Sequence, residues 1–352
     1  MFTIIGITGQ VGSAVARRLL EVGQPVRAVV RSADKGAEWA QQGCEIAVAD
    51  LNDTMALQNA LQGSTGVFVM IPPVYSPSEG FVETRRVVDT LYTALERVKP
   101  GKIVCLSTIG AEATQPNLLN QLQLMEQSLS RLSTSTSVAF IRAAWFMDNV
   151  AWDIDAAMGN GVIPSFLQPL DKPIPMVATA DIGRVAAELL QQSWDGQKII
   201  ELEGPCKISP NDIANSLSNI LGKPIRMEAV PREQWKDIFT SEGMTNPLPR
   251  MQMLDGFNAG WIKFVHVPEK GVISLDTVIT QLLSSRLQAK KEIITSPQVH
   301  APVSNSPQGS LVLFGAGYTP ANGSQVTETQ QAEDTKDKTL NAAVKSPFVK
   351  KR

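Results

Sequence analysis

The feature that most constrains this fold is a glycine-rich turn between the first apolar strand and the first amphipathic helix. Residues 2–5 form a short apolar run, and Gly6, Gly9 and Gly12 follow it. A strand that turns sharply into a helix and brings its backbone against a pyrophosphate needs residues without a Cβ at these steps. The helix N-terminus then offers free N–H groups to phosphate oxygens. We favour a dinucleotide-binding turn over an ordinary tight turn without a ligand, and its predicted contacts are Gly6, Thr8, Gly9, Gln10, Val11 and Gly12.

The first 150 residues alternate between apolar runs and helical patterns. Strands are predicted at 2–5, 25–30, 43–49, 66–71, 102–106 and 138–141, and helices at 13–22, 81–98 and 118–132. Strands that are apolar along nearly their whole length are typical of a parallel sheet with helices on both faces. The sequence therefore predicts an α/β fold, with a Rossmann-type, doubly wound parallel sheet in a dinucleotide-binding domain of residues 1–150.

A smaller lobe and a tail are predicted beyond this domain. Residues 151–288 are expected to form a substrate-side lobe that is partly interleaved with the Rossmann sheet and has a strand at 199–203. Asp181 is expected to cap a helix at its N-terminus, and Ser209 to open another helix that ends at Gly222. Residues 289–352 are rich in Ser, Pro, Gln, Thr, Asn and Lys. That composition buries too little apolar surface to offset the entropy of ordering, so a disordered tail is predicted.

Composition argues against several classes of function. The formal net charge of -2 provides no basic excess for nucleic-acid binding. No apolar run approaches the roughly 18 residues of a membrane span, and the first residues do not resemble a signal peptide, so we expect a cytoplasmic protein.

Cys44, Cys105 and Cys206 are widely spaced. We expect them to be buried core residues, with neither a disulfide nor a metal site.

The end of the second predicted strand favours NADP(H) over NAD(H). An acidic residue there would accept hydrogen bonds from the adenosine ribose, whereas this strand ends at Arg31. A guanidinium offers a fork of donors that suits a 2′-phosphate. Lys35 and Arg27 add positive charge nearby. The alternative is that Arg31 is an ordinary solvated arginine.

Two further strand ends are expected to touch the cofactor. Asp50 and Leu51 follow the third strand. Asp50 either accepts a hydrogen bond from the adenine amino group, with Leu51 packed on the ring, or caps the next helix, and both interpretations remain open. Ile71 and Pro72 follow the fourth strand, beside the expected position of the nicotinamide ribose.

Together these residues resemble the NmrA-like family of atypical short-chain dehydrogenase/reductase proteins, from residue 1 to about residue 285. Besides the motifs above, the resemblance rests on residues 103–107, 177–183 and 141–149, although Ala143 stands where the family has a proline. The family contains NAD(P)H-dependent quinone reductases, reductases of plant and fungal metabolites, and redox-sensing regulators that bind the cofactor without turnover. The resemblance implies binding of NAD(P)H and leaves the reaction open.

The sequence lacks the Tyr-x-x-x-Lys pair with which typical short-chain dehydrogenases deliver a proton. No tyrosine is followed by a lysine four residues later, and no lysine occurs between Lys102 and Lys172. Ser107 and Thr108, at the end of the fifth strand, remain as candidates near the nicotinamide, with a structural role equally supported. Glu126, on the helix that follows, is a candidate proton relay, although a solvated acid on the helix face is the interpretation we favour.

Two functions remain compatible with these residues. The first is an NADPH-dependent reductase whose quinone-like or otherwise conjugated small-molecule acceptor needs little acid catalysis. The second is a non-catalytic NAD(P)-binding redox sensor, which would need a protein partner. For the first function, four residues are expected to line the acceptor site: Trp145, Phe146, Asn149 and Trp261.

Overall fold

A computed structural model gives the architecture and describes residues 1–295, with side chains through residue 288. The strands are β1 (Phe2–Ile5), β2 (Val26–Val30), β3 (Glu45–Val48), β4 (Gly66–Val69), β5 (Lys102–Thr108), β6 (Ser137–Ala143), β7 (Trp145–Phe146), β8 (Val162–Ser165), β9 (Ile174–Val177), β10 (Gln197–Glu203), β11 (Lys207–Ile208), β12 (Arg226–Ala229) and β13 (Glu269–Lys270). The helices are α1 (Gln10–Glu21), α2 (Ala37–Gln41), α3 (Thr54–Leu61), α4 (Val82–Val98), α5 (Asn120–Leu129), α6 (Ile154–Met158), α7 (Thr179–Gln191), α8 (Pro210–Leu221), α9 (Trp235–Ser241), α10 (Leu248–Ala259) and α11 (Leu275–Thr295). Short 3₁₀ helices occupy Ala33–Gly36, Glu79–Phe81, Ser130–Thr134, Met147–Trp152 and Arg232–Gln234.

The main sheet confirms the predicted fold class. Its strand order is β13-β10-β6-β5-β4-β1-β2-β3, and the neighbouring strands are parallel. From β1 the chain moves outward to β2 and β3, and then returns to β4 on the other side of β1. The strand order therefore reverses between β1 and β4. In open α/β sheets, ligands bind at this reversal, outside the carboxyl ends of the strands.

Helices cover both faces of this sheet. On one face α1 packs against α7, and on the other α3, α4 and α5 pack in succession. The contact between α1 and α7 is close, since a Cβ built on Gly183 would lie 2.4 Å from the Cβ of Ala14. Ile4, Phe68 and Phe140 are fully buried in the sheet between these layers. The core therefore fixes the carboxyl edge of the strands, where a ligand site is expected.

The second half of the chain contributes to the main sheet and also forms small sheets of its own. Strands β10 and β13 extend the main sheet beyond β6, while β11-β9-β7 and β12-β8 form separate sheets. The division into domains of residues 1–150 and 151–288 stays a prediction. Helix α11 continues to Thr295, so it runs past the predicted start of the tail at 289. The rest of the predicted tail lies outside the described residues.

The two predicted helix caps have different outcomes. Ser209 and Asp212 form a reciprocal capping box at the start of α8, which ends at Gly222 with a φ of 67°. For Asp181 the prediction is wrong, because α7 begins after Ala178 and Asp181 lies inside its first turn. The fully buried Asp181 carboxylate instead accepts hydrogen bonds from the N–H groups of Val272 and Ile273, both at 2.9 Å. It therefore anchors a segment about 90 residues away.

The cysteines differ in burial. Cys44 and Cys105 are buried as expected, but Cys206 is exposed, which corrects the prediction for that residue. It lies between β10 and β11, in a turn that neither sheet covers. Across residues 1–295, no helix is both long and apolar enough to span a membrane.

Candidate functional site

The turn after β1 places backbone donors at the point where the strand order reverses. Gly6 has a φ of 80°, and its carbonyl accepts a hydrogen bond from the N–H of Gly9 at 3.0 Å. A Cβ on Gly12 would lie 2.2 Å from the Gly6 carbonyl oxygen, so only glycine allows α1 to start this close to the strand. Gly9 is the N-cap of α1 and provides no side-chain cap. The first turn of α1 therefore offers N–H groups that a pyrophosphate would satisfy.

Gln10 gives this turn an additional polar group. Its Oε1 atom is buried and has no hydrogen-bond partner among the described residues. Buried polar atoms are normally paired, and an amide oxygen pairs only with a donor, such as a ribose hydroxyl. Thr8 is exposed and Val11 is buried, which puts Thr8 on the open side of the turn. The first-turn amides therefore fit the pyrophosphate of a dinucleotide, and the Gln10 oxygen fits a hydroxyl of the same ligand.

Arg31 is exposed immediately after β2. Within the described part of the chain it forms no recorded hydrogen bond or ion pair, and Lys35 is exposed as well. Arg27 does not add to this positive surface, contrary to expectation. Its guanidinium is occupied by Glu45 at 2.7 Å and by the carbonyl oxygen of Ala60 at 2.9 Å. The positive charge at this end of β2 therefore depends on Arg31 and Lys35.

The loop after β3 settles one alternative for Asp50. The next helix, α3, is capped by Asp53, which accepts from the N–H of Ala56 at 3.0 Å, so Asp50 is not the cap. Asp50 instead accepts from the backbone and side-chain nitrogens of Asn52, at 2.8 and 2.9 Å. These hydrogen bonds, helped by the charge of Arg31, lower the pKa of Asp50. The following residue, Leu51, is half-buried.

A cavity of about 220 Å³ lies between the loops after β3 and β4 and the start of α4. Ile71 and Pro72 form one side, which places both predicted contacts at the carboxyl edge of the sheet. Gln121, on α5, fixes the loop beyond them. It accepts from the N–H of Val74 at 3.2 Å and donates to the Val74 carbonyl at 3.0 Å. The sequence analysis did not identify this role for Gln121.

The side chains of all three catalytic candidates form hydrogen bonds with other groups of the protein. Ser107 donates to Glu126 Oε1 at 2.5 Å, and Thr108 donates to the carbonyl of Ile109 at 3.1 Å. Glu126 is 9% exposed, so its interpretation as a solvated surface acid is wrong. The sequence carried a signal for this burial, because Glu126 lies four residues after Leu122 and three before Leu129 on the apolar face of α5.

Arg142 holds Glu126 in place. Its Nε and Nη2 donate to the two oxygens of Glu126 at 3.0 and 2.7 Å, in a bidentate pair. Arg142 also contacts Glu112, and its Nη1 lies 4.0 Å from Glu201. Burial alone would lower the pKa of Arg142, but the hydrogen bonds and charges of Glu126 and Glu112 raise it above its usual value. The Arg142 cluster, consisting of Arg142, Glu112, Glu126 and Glu201, joins β6 to α5 and β10 behind the end of β5.

Three of the four residues predicted to line an acceptor site share one cavity. Trp145, Phe146 and Asn149 line a space of about 40 Å³, which we call the lobe cavity. The ring of Trp145 packs edge-on against Phe257, with centroids 5.2 Å apart. Trp261 does not line this cavity. It is half-buried and its ring lies against Gly256 in the last turn of α10.

The lobe cavity also contains an acid that sequence reasoning missed. Asp153 is half-buried in its wall, and burial raises the pKa of this carboxyl to about 8. Asp153 follows the 3₁₀ helix that contains Asn149, and both residues line the cavity. The apolar groups that desolvate Asp153 come from distant segments of the chain, so the local sequence carries no signal for its raised pKa. Over the described residues, no cluster of His, Cys, Asp or Glu could hold a metal ion.

Fold and site together define a Rossmann-type protein with a glycine-rich turn at the reversal of strand order. The chain belongs to the NmrA-like family, whose sequence profile matches residues 1–262. It is 30% identical over 255 residues to an NAD(P)H azoreductase of Xenophilus azovorans, which covers 70% of this chain and 83% of the relative.

Two solved structures share the fold. An NADPH-dependent quinone oxidoreductase from Escherichia coli, in complex with NADPH, superimposes with a TM-score of 0.66 at 22% identity, covering 80% of this chain and 100% of that one. A triphenylmethane reductase from Citrobacter sp. also has a TM-score of 0.66, at 20% identity, with coverage of 80% and 99%. At these identities the superpositions show a common fold.

Proposed function

We propose that this protein is an NADPH-dependent reductase that transfers a hydride to a planar, conjugated acceptor such as a quinone. The observation that carries the proposal is the uncapped N-terminus of α1, held by Gly6 and Gly12 against the end of β1, at the reversal of strand order. The names of the similar proteins, an azoreductase, a quinone oxidoreductase and a triphenylmethane reductase, support reduction of a conjugated small molecule.

The residues around the carboxyl edge suggest how each part of the cofactor is held. The first-turn amides of α1 bind the pyrophosphate. Arg31, with Lys35 beside it, binds the 2′-phosphate, and Leu51 packs against the adenine. Ile71 and Pro72 flank the nicotinamide ribose. When bound, the reduced nicotinamide supplies the hydride, and the protein contributes orientation and the exclusion of water.

The Arg142 cluster bears on the class of acceptor. The Ser107 proton points to Glu126, and Glu126 is itself paired with Arg142, so neither side chain is free to act as the tyrosine of the usual dyad. A ketone needs a strong acid to stabilise its alkoxide, whereas a reduced quinone forms a stable oxyanion. This arrangement therefore favours quinone-like acceptors. We assign Ser107, Thr108 and Glu126 a positioning role at the end of β5.

The proposal is tested by two measurements on purified protein. Tight binding of NADPH, followed by fluorescence titration, tests the cofactor site. Consumption of NADPH with a panel of quinones, azo dyes and triphenylmethane dyes tests the reaction. Turnover of at least one acceptor class is expected. Tight binding with no turnover on the whole panel would refute the reductase and favour a redox sensor, and failure to bind any nicotinamide dinucleotide would refute both.

A further inference from the structure

The lobe cavity is apolar apart from a few polar atoms, and Asp153 is the titratable group among its described lining residues. Phe166, just after β8, encloses it together with Ile213 of α8 and Met227 of β12. Ser165 also lines it, but the Ser165 hydroxyl donates to the Leu167 carbonyl at 2.9 Å. The volume of about 40 Å³ accommodates about three groups the size of a water molecule. Only the end of a ligand would therefore fit, next to the Asp153 carboxyl.

Asp153 contributes to local structure through its backbone and not its side chain. Its N–H donates to the Val150 carbonyl at 2.9 Å, and its carbonyl accepts from the N–H of Ala157 at 2.8 Å. Although it occupies the N-cap position of α6, its carboxyl caps no N–H group. A carboxyl that neither caps its helix nor joins a recorded ion pair among the described residues is available to a ligand.

Among residues 1–288, no cation compensates the charge of Asp153. Charged groups on the elements around the lobe cavity contact partners of their own. Asp148, Asp212 and Asp276 accept hydrogen bonds from Thr179, Ser209 and Ser216, respectively. Asp155 forms an ion pair with Arg286, and Glu228 forms one with Arg226. Desolvation therefore acts alone, and it raises the pKa of Asp153 to about 8. The carboxyl is accordingly protonated at neutral pH and can donate.

The lobe cavity starts close to the carboxyl ends of β6 and β5. Trp145 and Phe146, in its wall, follow β6 directly, and the last residue of β6 pairs with Thr108 at the end of β5. We propose that Asp153 is the acid of the acceptor site, donating first a hydrogen bond and then a proton to the acceptor oxygen that becomes negative on reduction. This inference rests on the proposed function: a reduced quinone oxyanion is stable enough to form without a Tyr-Lys pair, and Asp153 would accelerate the step by protonating it.

The proton that the acceptor receives comes from Asp153 and is replaced from solvent. Reduction adds a hydride from the nicotinamide to the acceptor ring and leaves an electron pair on a quinone oxygen. The O–H bond of Asp153 breaks as an O–H bond forms on that oxygen, which gives the keto tautomer of the quinol and an Asp153 carboxylate. This tautomer then loses its extra ring proton to water while its second oxygen takes one up, which gives the aromatic quinol. The quinol leaves, and a proton from solvent restores the carboxyl through the mouth of the cavity. A carboxyl with a pKa near the working pH suits both halves of this cycle.

The test compares Asp153→Asn with Asp237→Asn, a control on α9 at an exposed residue that does not line the lobe cavity. With menadione as acceptor, kcat/KM of the wild type should be constant below the Asp153 pKa of about 8 and fall above it. Asp153→Asn should lose about 100-fold in kcat/KM at neutral pH and show no fall near pH 8, with an unchanged Kd for NADPH. A wild-type rate and pH profile in Asp153→Asn would overturn the inference.

Two further measurements do not depend on turnover. A carboxyl whose folded pKa lies above its ordinary value of 3.8 costs stability progressively as pH rises from about 4 to about 8. Asp153→Asn should therefore raise Tm at pH 8 and leave it unchanged at pH 4. Asp153→Ala should weaken binding of 1-naphthol, a stand-in for the reduced acceptor, by about tenfold at pH 7. If the wild type consumes no NADPH, the proposed function fails. Unchanged 1-naphthol binding by Asp153→Ala overturns the Asp153 inference.

Discussion

Replacement of Arg142 by leucine should strongly destabilise the protein. The Arg142 side chain is 5% exposed, and its partners Glu126 and Glu201 are 11% and 4% exposed. Leucine would leave these carboxylates buried without their cation. Glu201 keeps hydrogen bonds from the N–H groups of Val265 and His266, at 3.0 and 2.7 Å, while Glu126 keeps only the Ser107 hydroxyl. Breaking a buried pair of this kind costs about 3–5 kcal/mol.

The loss in free energy of unfolding caused by Arg142→Leu can be measured by urea unfolding and by thermal unfolding at pH 7. For a domain of this size, about 3–5 kcal/mol corresponds to a fall in Tm of roughly 6–10 °C. Glu112→Gln is the matched control, because Glu112 is 41% exposed and its loss should cost at most about 1 kcal/mol. The double variant Arg142→Leu with Glu126→Leu should cost less than the sum of its single variants, since no uncompensated charge remains at position 126. A loss below about 1 kcal/mol for Arg142→Leu would refute this account of the cluster.

Three other substitutions test separate parts of the structure. Arg31→Glu should raise the Kd for NADPH by more than about tenfold and change that for NADH little, in a fluorescence titration; equal losses would remove the assignment. Gly12→Ala places a Cβ 2.2 Å from the Gly6 carbonyl oxygen and should abolish NADPH binding with the circular dichroism spectrum retained, whereas full binding would contradict the backbone cradle. Asp181→Ala should cost about 2–4 kcal/mol in urea unfolding because the N–H groups of Val272 and Ile273 lose a charged, fully buried acceptor. The Ser209→Ala cap variant should cost about 1 kcal/mol, and equal costs would argue against the Asp181 anchor.

The main sheet and the glycine turn could be predicted because their signals are local. Each of the first six strands contains at least three apolar residues, and the apolar run at 66–71 contains β4. The capping box of α8 lies within four consecutive residues, from Ser209 to Asp212. These signals depend only on residues that are close together along the chain, so they can be identified in a single sequence. The two-residue strands β7, β11 and β13 were not predicted, because strands this short form only through distant partners.

The missed functional residues share the same physical reason. The role of Asp181 depends on Val272 and Ile273, and the ion pair of Glu126 depends on Arg142, on another strand. The desolvation of Asp153 depends on side chains from β8, α8 and β12. None of these contacts leaves a pattern in the segment that carries the acid. The helical position of Glu126 on an apolar face was the partial exception.

The close crossing of α1 and α7 bears on whether the nucleotide-binding half could exist alone. Helix α7 and strand β10 both come from beyond residue 150, yet α7 covers α1 and β10 pairs with β6 along its length. A fragment that ends at residue 150 would expose the apolar side of α1. It would also leave β6 as an unpaired edge strand that can pair with other chains and aggregate. The first 150 residues therefore depend on α7 and β10 to complete their core and their sheet.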